Sequence, residues 1–319
     1  MKYITDLKEL NTLSPCVITL GKFDGVHKGH QKLIRLVQQI GEKNDWKTAV
    51  FTFDVSPQVK LGMSRHLLLM TNEERRLKLE KMGLDYLVEC PFTDEIKNME
   101  PEDFVKEILI GKMHARSLVI GKDFHFGKQR RGDAALLCKL GEELNLEIRV
   151  EEKEKDGRRD ISSTYVREEL TLGHMEKVTE LLGNPYSVKG EIVHGNHIGH
   201  TLGFPTINQI PEASKLLPPK GVYLSKTLVD GREYDGISNV GTKPTVQGNK
   251  VMGIETHLLF FSGDLYGKEA RVQLLSFRRP EKKFASLEEL KKQLDSDIKE
   301  ARDLAVRRMS APSPSLTRL

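Results

Sequence analysis

The sequence of 319 residues contains only three cysteines, and they lie far apart at Cys16, Cys90 and Cys138. An odd number of cysteines without a C-x-x-C pair argues against a disulfide framework and against a zinc site. Hydrophobic runs are short as well: none approaches the roughly 18 residues needed to cross a bilayer, and the N-terminus lacks the apolar segment of a signal peptide. We therefore expect no membrane partner, a cytoplasmic location, and cysteines that are small core residues.

Neither sign of charge is in large excess. The 50 basic residues stand against 46 acidic ones, which gives a net charge of +4, and the two kinds are mostly interleaved. A general nucleic-acid binder shows a stronger basic excess on one face, so we expect no nucleic-acid partner, whereas small anionic ligands such as nucleotides are compatible. A Walker A loop, G-x-x-x-x-G-K-S/T, is also missing from the sequence, so an ATP site in this chain must use a different phosphate-binding motif.

The first half of the chain alternates short apolar runs with helical patterns. The β-prone runs lie at 15–20, 48–53, 84–89, 117–120 and 146–151, and the helical patterns lie near 29–42, 71–82, 101–111 and 133–144. This alternation predicts an α/β domain over residues 1–183, with a parallel sheet that is covered by helices on both faces. Ligands are expected at the carboxyl ends of its strands.

The second half has a different pattern. After Gly183-Asn184-Pro185, which breaks a helical segment, the chain consists of strand-like runs with turn signals, including a hairpin turn at Asp230-Gly231. We predict a small antiparallel barrel or sandwich over residues 184–309, ending in a charged helix at 286–308. The tail at 310–319 has no periodicity and is expected to be disordered.

The turn after the first predicted strand, TLGKFDGVHKGHQKL at 19–33, has the residue types of an anion site. Glycines let backbone N–H groups approach a phosphate, and the start of a helix adds a favourable dipole. His27 and His30 are three residues apart and can both donate hydrogen bonds to phosphate oxygens during phosphoryl transfer. A glycine-rich turn with two surface histidines is the alternative; a zinc pair has no third ligand nearby.

The full pattern G-x-F-D-G-V-H-x-G-H, together with ISSTYVRE at 161–168, resembles the H-x-G-H nucleotidyltransferases. More specifically, residues 14–298 resemble prokaryotic bifunctional riboflavin kinase/FMN adenylyltransferase, also called FAD synthetase. The resemblance implies a Rossmann-like nucleotidyltransferase domain followed by a riboflavin kinase β-barrel, with ATP as co-substrate, Mg²⁺ as cofactor, and riboflavin, FMN and FAD as substrates and products. It implies a catalytic role for His27 and His30, and ATP-binding roles for Gly21, Phe23, Asp24, Gly25 and Gly29.

The segment ISSTYVR offers hydroxyl groups and exposed N–H groups at the start of a helix, with Arg167 one turn further along. Taken alone, the segment is better explained as a Ser/Thr cap beside a solvated arginine. The resemblance implies that Ser163 and Thr164 bind the phosphates of ATP and that Arg167 is catalytic.

A third segment, VIGKDFHFGKQRRGD at 119–133, combines aromatic, glycine and basic residues after a predicted strand. It can stack a flat ring and hold a phosphate, or it can be a solvated basic loop that closes over core phenylalanines. The resemblance implies that Asp123, Phe124 and Phe126 shape the flavin pocket.

In the second half, Thr206 and Asn208 of the P-T-x-N motif alternate across one residue, so in an extended segment their oxygens face one side. Hard oxygens of this kind suit Mg²⁺ bound jointly with ATP phosphates, although a turn or cap is the better explanation of an isolated P-T-x-N. The resemblance implies that Thr206 and Asn208 bind the metal. It also implies that Gly195 and Gly199 belong to a flap that binds ATP.

Glu255 is an acid inside the apolar strand VMGIETHLLFF. Alternation places it on one face with His257, and Thr256 and Leu258 on the other. An exposed glutamate is the ordinary explanation. The resemblance instead implies a general base that takes the proton of the ribityl 5′-hydroxyl as that oxygen attacks the γ-phosphorus of ATP.

Some positions depart from the family pattern. His200 stands where arginine is usual, Lys22 replaces a frequent asparagine, and FDVSP at 53–57 differs from the frequent F-x-P-H-P. Two alternatives therefore stay open: a single-activity flavin enzyme with one decayed site, and a flavin-binding regulator without turnover.

Overall fold

The computed structural model describes residues 1–12, 14–54, 67–195, 203–244 and 250–310. The chain forms two compact units, Met1–Val166 and Arg167–Leu319. Three features of the sequence analysis lie outside the described residues: Gly199 with His200, the 55–57 part of FDVSP, and the tail beyond Ser310.

The first unit is built on a six-stranded sheet whose strand pairs are all parallel. Its strands are β1 (Lys2–Ile4), β2 (Cys16–Leu20), β3 (Lys47–Phe53), β4 (Tyr86–Cys90), β5 (Ala115–Gly121) and β6 (Glu147–Glu151), in the order β1-β4-β3-β2-β5-β6. The five predicted strands are confirmed. β1 was not predicted, because three residues are too few to show an alternating pattern.

Helices cover both faces of this sheet. They are α1 (Lys28–Asn44), α2 (Asn72–Lys81), α3 (Asp94–Asn98), α4 (Pro101–Asp103), which continues into a π-helix (Phe104–Lys112), and α5 (Ala134–Leu144). The next helix along the chain, α6 (Ser163–Leu172), begins in the first unit and ends in the second. On one face Ile34 and Val37 of α1 pack with Val50. On the other face Phe51 packs in a separate cluster that contains Leu137 of α5. Successive residues of β3 therefore point to opposite layers, as a sheet buried on both sides requires.

The strand order reverses beside β2, which lies between β3 and β5. In such sheets a crevice opens at the carboxyl ends of the strands where the order reverses, and ligands bind there. Gly21 follows β2 and Lys122 follows β5. Two of the segments singled out in the sequence therefore begin at this crevice.

The second unit contains a closed barrel of six antiparallel strands. They are β9 (Tyr186–Val193), β10 (Ile207–Gln209), β11 (Gly221–Val229), β12 (Arg232–Pro244), β13 (Lys250–Leu258) and β14 (Glu269–Pro280), in the order β10-β13-β12-β11-β14-β9. Pairing of β9 with β10 closes it. A short hairpin in the first unit supplies β7 (Lys155–Asp156) and β8 (Arg159–Asp160).

Two helices flank the barrel strands in sequence, α7 (Met175–Leu182) before them and α8 (Leu287–Ser310) after them. α7 packs on β9 and β14, which explains why the compact unit begins before residue 184. α8 places Ile298 and Ala301 against barrel residues such as Val222. The predicted hairpin between β11 and β12 is confirmed: Asp230 and Gly231 have φ of 49° and 73°, the conformation that a tight two-residue turn needs.

Candidate active sites

The loop from Gly21 to His27 connects β2 to α1 through a left-handed turn. Phe23 has φ of 50° and Val26 has φ of 43°, conformations that are uncommon for residues other than glycine. Side chains hold the loop in this form. Asp24 Oδ1 accepts a hydrogen bond from the Met70 amide at 3.1 Å, and Gln31 Nε2 donates to the Val26 carbonyl at 2.8 Å.

Arg75, on α2, fixes the first part of the same loop from inside the protein. Its guanidinium donates to the carbonyl oxygens of Lys22 at 3.2 Å and Phe53 at 3.3 Å, and it forms a buried ion pair with Glu89. The sequence analysis did not identify Arg75. It also left Lys22 without a role; the structure shows its backbone carbonyl held by Arg75.

His27 is the N-cap of α1, and its Nδ1 accepts a hydrogen bond from the His30 amide at 3.4 Å. The two imidazole rings stack with their centroids 3.7 Å apart. Burial lowers the pKa of His27 to about 4 and lowers the pKa of His30 well below its usual value. Both rings are therefore neutral near pH 7. Because His27 Nδ1 accepts, the proton of that ring resides on Nε2, which is available as a donor.

Two glycines make this close packing possible. A Cβ atom on Gly29 would lie 3.2 Å from the His27 ring, and a Cβ atom on Gly21 would lie 3.2 Å from the Phe23 ring. Such contacts are tighter than normal packing permits without movement of the ring. The two glycines thus give room to the rings, in addition to the phosphate access that the sequence analysis proposed for them.

The start of α6 lies against the loop. Ser162 accepts a hydrogen bond from the Tyr165 amide at 3.2 Å, and Ser163 Oγ donates to the Asp24 carbonyl at 2.9 Å. The β7–β8 hairpin anchors the helix, because Tyr165 donates to Asp156 at 2.8 Å. The structure therefore brings together the N-termini of α1 and α6, an arrangement that favours bound anions.

The other two residues of α6 that were predicted to bind phosphate are Thr164 and Arg167. Thr164 is exposed beside Ser163. Arg167 lies one turn further along the helix, at the first residue of the second compact unit. Their predicted roles depend on the family resemblance.

The segment after β5 places its two phenylalanines differently. Phe126 is buried in the core, whereas Phe124 is half-buried and stacks on it with ring centroids 5.6 Å apart. The structure therefore shows Phe126 supporting the ring of Phe124 rather than exposed for direct contact with a ligand. Asp123 is exposed and forms an ion pair with Lys153 at 2.8 Å.

In the second unit, a cavity of about 720 Å³ lies against β10, β12, β13 and α8. Its size falls within the range of small-molecule sites. Thr206, Asn208, Glu255 and His257 all line it. The predicted alternation along β13 is confirmed, since the intervening Thr256 is buried.

Glu255 is held at both carboxylate oxygens. Oε1 accepts a hydrogen bond from Thr206 Oγ1 at 2.7 Å, and Oε2 forms an ion pair with Lys243 Nζ. Asn208 is the neighbour of Glu255 in the register of β10 with β13. The sequence analysis missed Lys243. Lys243 could have been found from the two-residue period of a strand, which places it on the same face of β12 as Asn239. Asn239 also lines the cavity.

The oxygen donors of this site are the hydroxyl of Thr206, the side-chain amide of Asn208 and the carboxylate of Glu255. Among the described residues no group of three or more His, Cys, Asp and Glu side chains could hold a metal ion. A transition-metal centre in this part of the chain is thus unsupported, whereas Mg²⁺ commonly takes one or two protein oxygens and completes its shell with waters and phosphates. Gly195 lies close by: a Cβ atom there would approach Asn208 Nδ2 to 2.3 Å.

Comparison with known proteins decides the family. A family model described as FAD synthetase matches residues 9–165, and one described as riboflavin kinase matches residues 182–305. The bifunctional riboflavin kinase/FMN adenylyltransferase of Escherichia coli K12 is 36% identical over 90% of this chain and 92% of its own length. That of Listeria monocytogenes is 35% identical over 90% and 91%. The chain belongs to the bifunctional riboflavin kinase/FMN adenylyltransferase family. It is an enzyme of flavin cofactor biosynthesis.

A solved structure agrees with this fold. A crystal structure described as a macrolide-efflux protein from Streptococcus pneumoniae superposes with a TM-score of 0.84, at 30% identity, over 94% of this chain and 98% of its own. In the residues that our structure describes, no helix is long and apolar enough to cross a membrane. Family models match both halves of the chain, so the alternatives of a decayed site or a regulator without turnover gain no support from these comparisons.

Proposed function

We propose that this enzyme phosphorylates riboflavin with ATP to give FMN, and then transfers AMP from a second ATP to FMN to give FAD and pyrophosphate. The observation that carries the proposal is that His27 and His30 lie in the first compact unit within the match to the FAD synthetase model, whereas Glu255 lies in the second unit within the match to the riboflavin kinase model. We assign adenylyl transfer to residues 1–183 and phosphorylation to residues 184–309, in the cytoplasm.

In the kinase reaction, Glu255 acts as general base. It takes the proton of the ribityl 5′-hydroxyl while that oxygen forms a bond to the γ-phosphorus and the bond to the bridging oxygen breaks, so that ADP leaves with the electron pair. Thr206 and Asn208 offer the oxygens that would hold Mg²⁺. When bound, Mg²⁺ neutralises negative charge on the phosphates. Gly195, and Gly199 outside the described residues, are assigned to the ATP flap.

In the adenylyl transfer, a phosphate oxygen of FMN attacks the α-phosphorus of ATP in line, and pyrophosphate leaves. The nucleophile is already ionised, so position and charge stabilisation supply the catalysis. Neutral His27 and His30 donate hydrogen bonds to the phosphate oxygens, and the N-termini of α1 and α6 add their dipoles.

The remaining predicted residues complete this first site in the proposal. Ser163, Thr164 and Arg167 bind or stabilise the ATP phosphates, and Phe124 with Asp123 contacts the flavin. The loop residues Gly21, Phe23, Asp24, Gly25 and Gly29 surround ATP. Support comes from the position of this loop at the crevice beside β2, where ligands bind in sheets of this type.

One incubation tests the proposal. The protein is mixed with riboflavin, ATP and Mg²⁺, and the flavins are separated chromatographically. FAD is expected, with FMN as the intermediate. FMN alone would show a decayed first site. Unchanged riboflavin would show an inactive kinase site, and a second incubation with FMN and ATP then separates a decayed kinase, which forms FAD, from a binding protein, which does not. A parallel incubation with EDTA tests the metal requirement.

A further inference from the structure

Lys243 shares the kinase cavity with the proposed base but has no role in the reaction described so far. Its ammonium group contacts Glu255 Oε2, the oxygen that Thr206 leaves free. The two side chains are only partly exposed, Lys243 at 20% and Glu255 at 30%. Both line the cavity of about 720 Å³.

The contact is not the ordinary pairing of neighbours across two strands. In the register of β12 with β13, Lys243 lies opposite Val251, and Glu255 lies opposite Asn239. The lysine therefore extends along the sheet by four residues to reach the carboxylate. Lys226 and Glu233 also form a cross-strand ion pair, at 3.0 Å, but with a smaller offset of two residues, since Lys226 lies opposite Asp235, and neither residue lines the cavity.

The contacts with Thr206 and Lys243 restrict the orientation of the Glu255 carboxylate. A glutamate side chain has several rotatable bonds, and a base must hold one geometry relative to the attacking hydroxyl for phosphoryl transfer to be fast. With Thr206 on one oxygen and Lys243 on the other, the plane and position of the carboxylate are set from two sides, by the residue that precedes β10 and by β12. The lone pairs that neither partner uses are the ones that can meet the substrate.

We propose that Lys243 is a positioning residue for the kinase reaction: it holds Glu255 in the orientation in which the carboxylate meets the ribityl hydroxyl. This rests on the proposed role of Glu255 as the base. It assigns to Lys243 an effect on the chemical step rather than on ATP affinity, because the ammonium is engaged with the carboxylate.

The test compares Lys243→Met, Lys243→Arg and the matched control Lys226→Met. For each full-length variant, kcat and the KM values for ATP and riboflavin are measured in FMN formation, and FAD formation from supplied FMN is measured on the same preparation. We expect Lys243→Met to lower the kinase kcat by about 10- to 100-fold, the cost of a misplaced catalytic group, with little change in the KM for ATP. Lys243→Arg should recover most of the rate. Lys226→Met should resemble the parent, and FAD formation should be unchanged throughout.

Other results overturn the assignment. A kinase kcat within twofold of the parent in Lys243→Met would remove the role, and a rise in the KM for ATP alone would make Lys243 a nucleotide ligand instead. Joint loss of FMN and FAD formation would indicate a structural residue. Glu255→Gln distinguishes failure of this proposal from failure of the proposed function. If Glu255→Gln keeps its kinase activity, Glu255 is not the general base. If Glu255→Gln is inactive while Lys243→Met has a normal kinase rate, only the positioning role of Lys243 is refuted.

Discussion

The imidazole rings of His27 and His30 stack with their planes 20° apart and their centroids 3.7 Å apart. Two positively charged rings at this separation would repel each other strongly, and burial lowers the pKa of both. In the adenylyl transfer that we propose, the pair therefore acts through N–H donors of neutral rings. Such donors stabilise phosphate charge without needing a proton from solvent.

Removal of this pair should separate the two activities. We expect His27→Ala and His30→Ala each to lower FAD formation from FMN by about 100- to 1000-fold, the usual effect of losing a donor to transition-state charge. FMN formation from riboflavin should stay near the parent rate, because the cavity that contains Glu255 lies in the other unit. Steady-state assays of each half-reaction measure both. Equal loss of the two activities would contradict the two-site arrangement.

The same burial predicts a pH dependence of stability. The pKa of His27 falls from 6.5 to about 4 in the folded protein, so the unfolded state binds more protons between these values. The stability that comes from a neutral His27 is therefore present above pH 6.5 and is lost as the pH falls toward 4, by about 2 kcal/mol near pH 4.5. His27→Asn keeps an N-cap acceptor and should abolish this part of the loss.

Urea unfolding near pH 7 and near pH 4.5 measures the effect. The fluorescence of Trp46, the single tryptophan of the chain, reports on the first unit. His125→Asn, which changes an exposed ring, is the control and should behave as the parent does. An identical pH dependence in His27→Asn and the parent would show that His27 is not held neutral.

Glu255→Ala should give the reverse of the histidine variants. This variant lacks the carboxylate that, in the proposed mechanism, accepts the proton from the ribityl hydroxyl, and we expect the rate of FMN formation to fall by about 100- to 10,000-fold. FAD formation from supplied FMN should be retained. Chromatography of the flavins after incubation with riboflavin, and separately with FMN, measures both steps. A normal kinase rate would remove Glu255 from the role of base.

Gly195→Ala should damage the kinase site through Asn208. The added Cβ atom would approach Asn208 Nδ2 to 2.3 Å, so the amide must move away from the position beside Glu255. We expect at least a tenfold loss in kcat/KM of FMN formation, of the order produced by a shift of about 1 Å in a catalytic group. A Cβ atom at Gly190, which lies on β9 just before this segment, meets atoms only at 3.6 Å and beyond, so Gly190→Ala should retain activity. Equal behaviour of the two variants would refute the steric argument.

Much of this organisation follows from the sequence because it depends on short-range patterns. The turn from Gly21 to His30 could be placed between a strand and a helix, and Glu255 on a polar strand face, because each uses a local period. Lys243 and Arg75 were missed because their partners, Glu255 and Glu89, lie on other elements, and only the strand register or the packing of α2 brings them together. For the segment after β5, the sequence left a pocket-lining and a core position of the phenylalanines both open, because no local pattern separates the two; the structure buries Phe126 next to Phe124.

The network around Glu89 gives the last prediction. Glu89 is 1% exposed, and it pairs with Arg75 and Arg76 and accepts a hydrogen bond from Tyr3. Burial and the bond to Glu89 raise the pKa of Tyr3 to about 12. Arg75 also donates to the Lys22 carbonyl, so this buried charge cluster fixes the first part of the loop from Gly21 to His27. Its loss should therefore affect both stability and FAD formation.

We expect Arg75→Met to lower the unfolding free energy of the first unit by about 3 kcal/mol, because it leaves a buried carboxylate with too little positive charge. Arg75→Met with Glu89→Gln should recover part of that stability but not the rate of FAD formation, since the Lys22 carbonyl still lacks its donor. Arg76 is more exposed, at 37%, so Arg76→Met should cost less, about 1 kcal/mol. Trp46 fluorescence in urea measures stability, and the adenylyl transfer assay measures the rate. If the double variant recovered both together, the role of Arg75 would be confined to neutralising Glu89, and the loop would not depend on it.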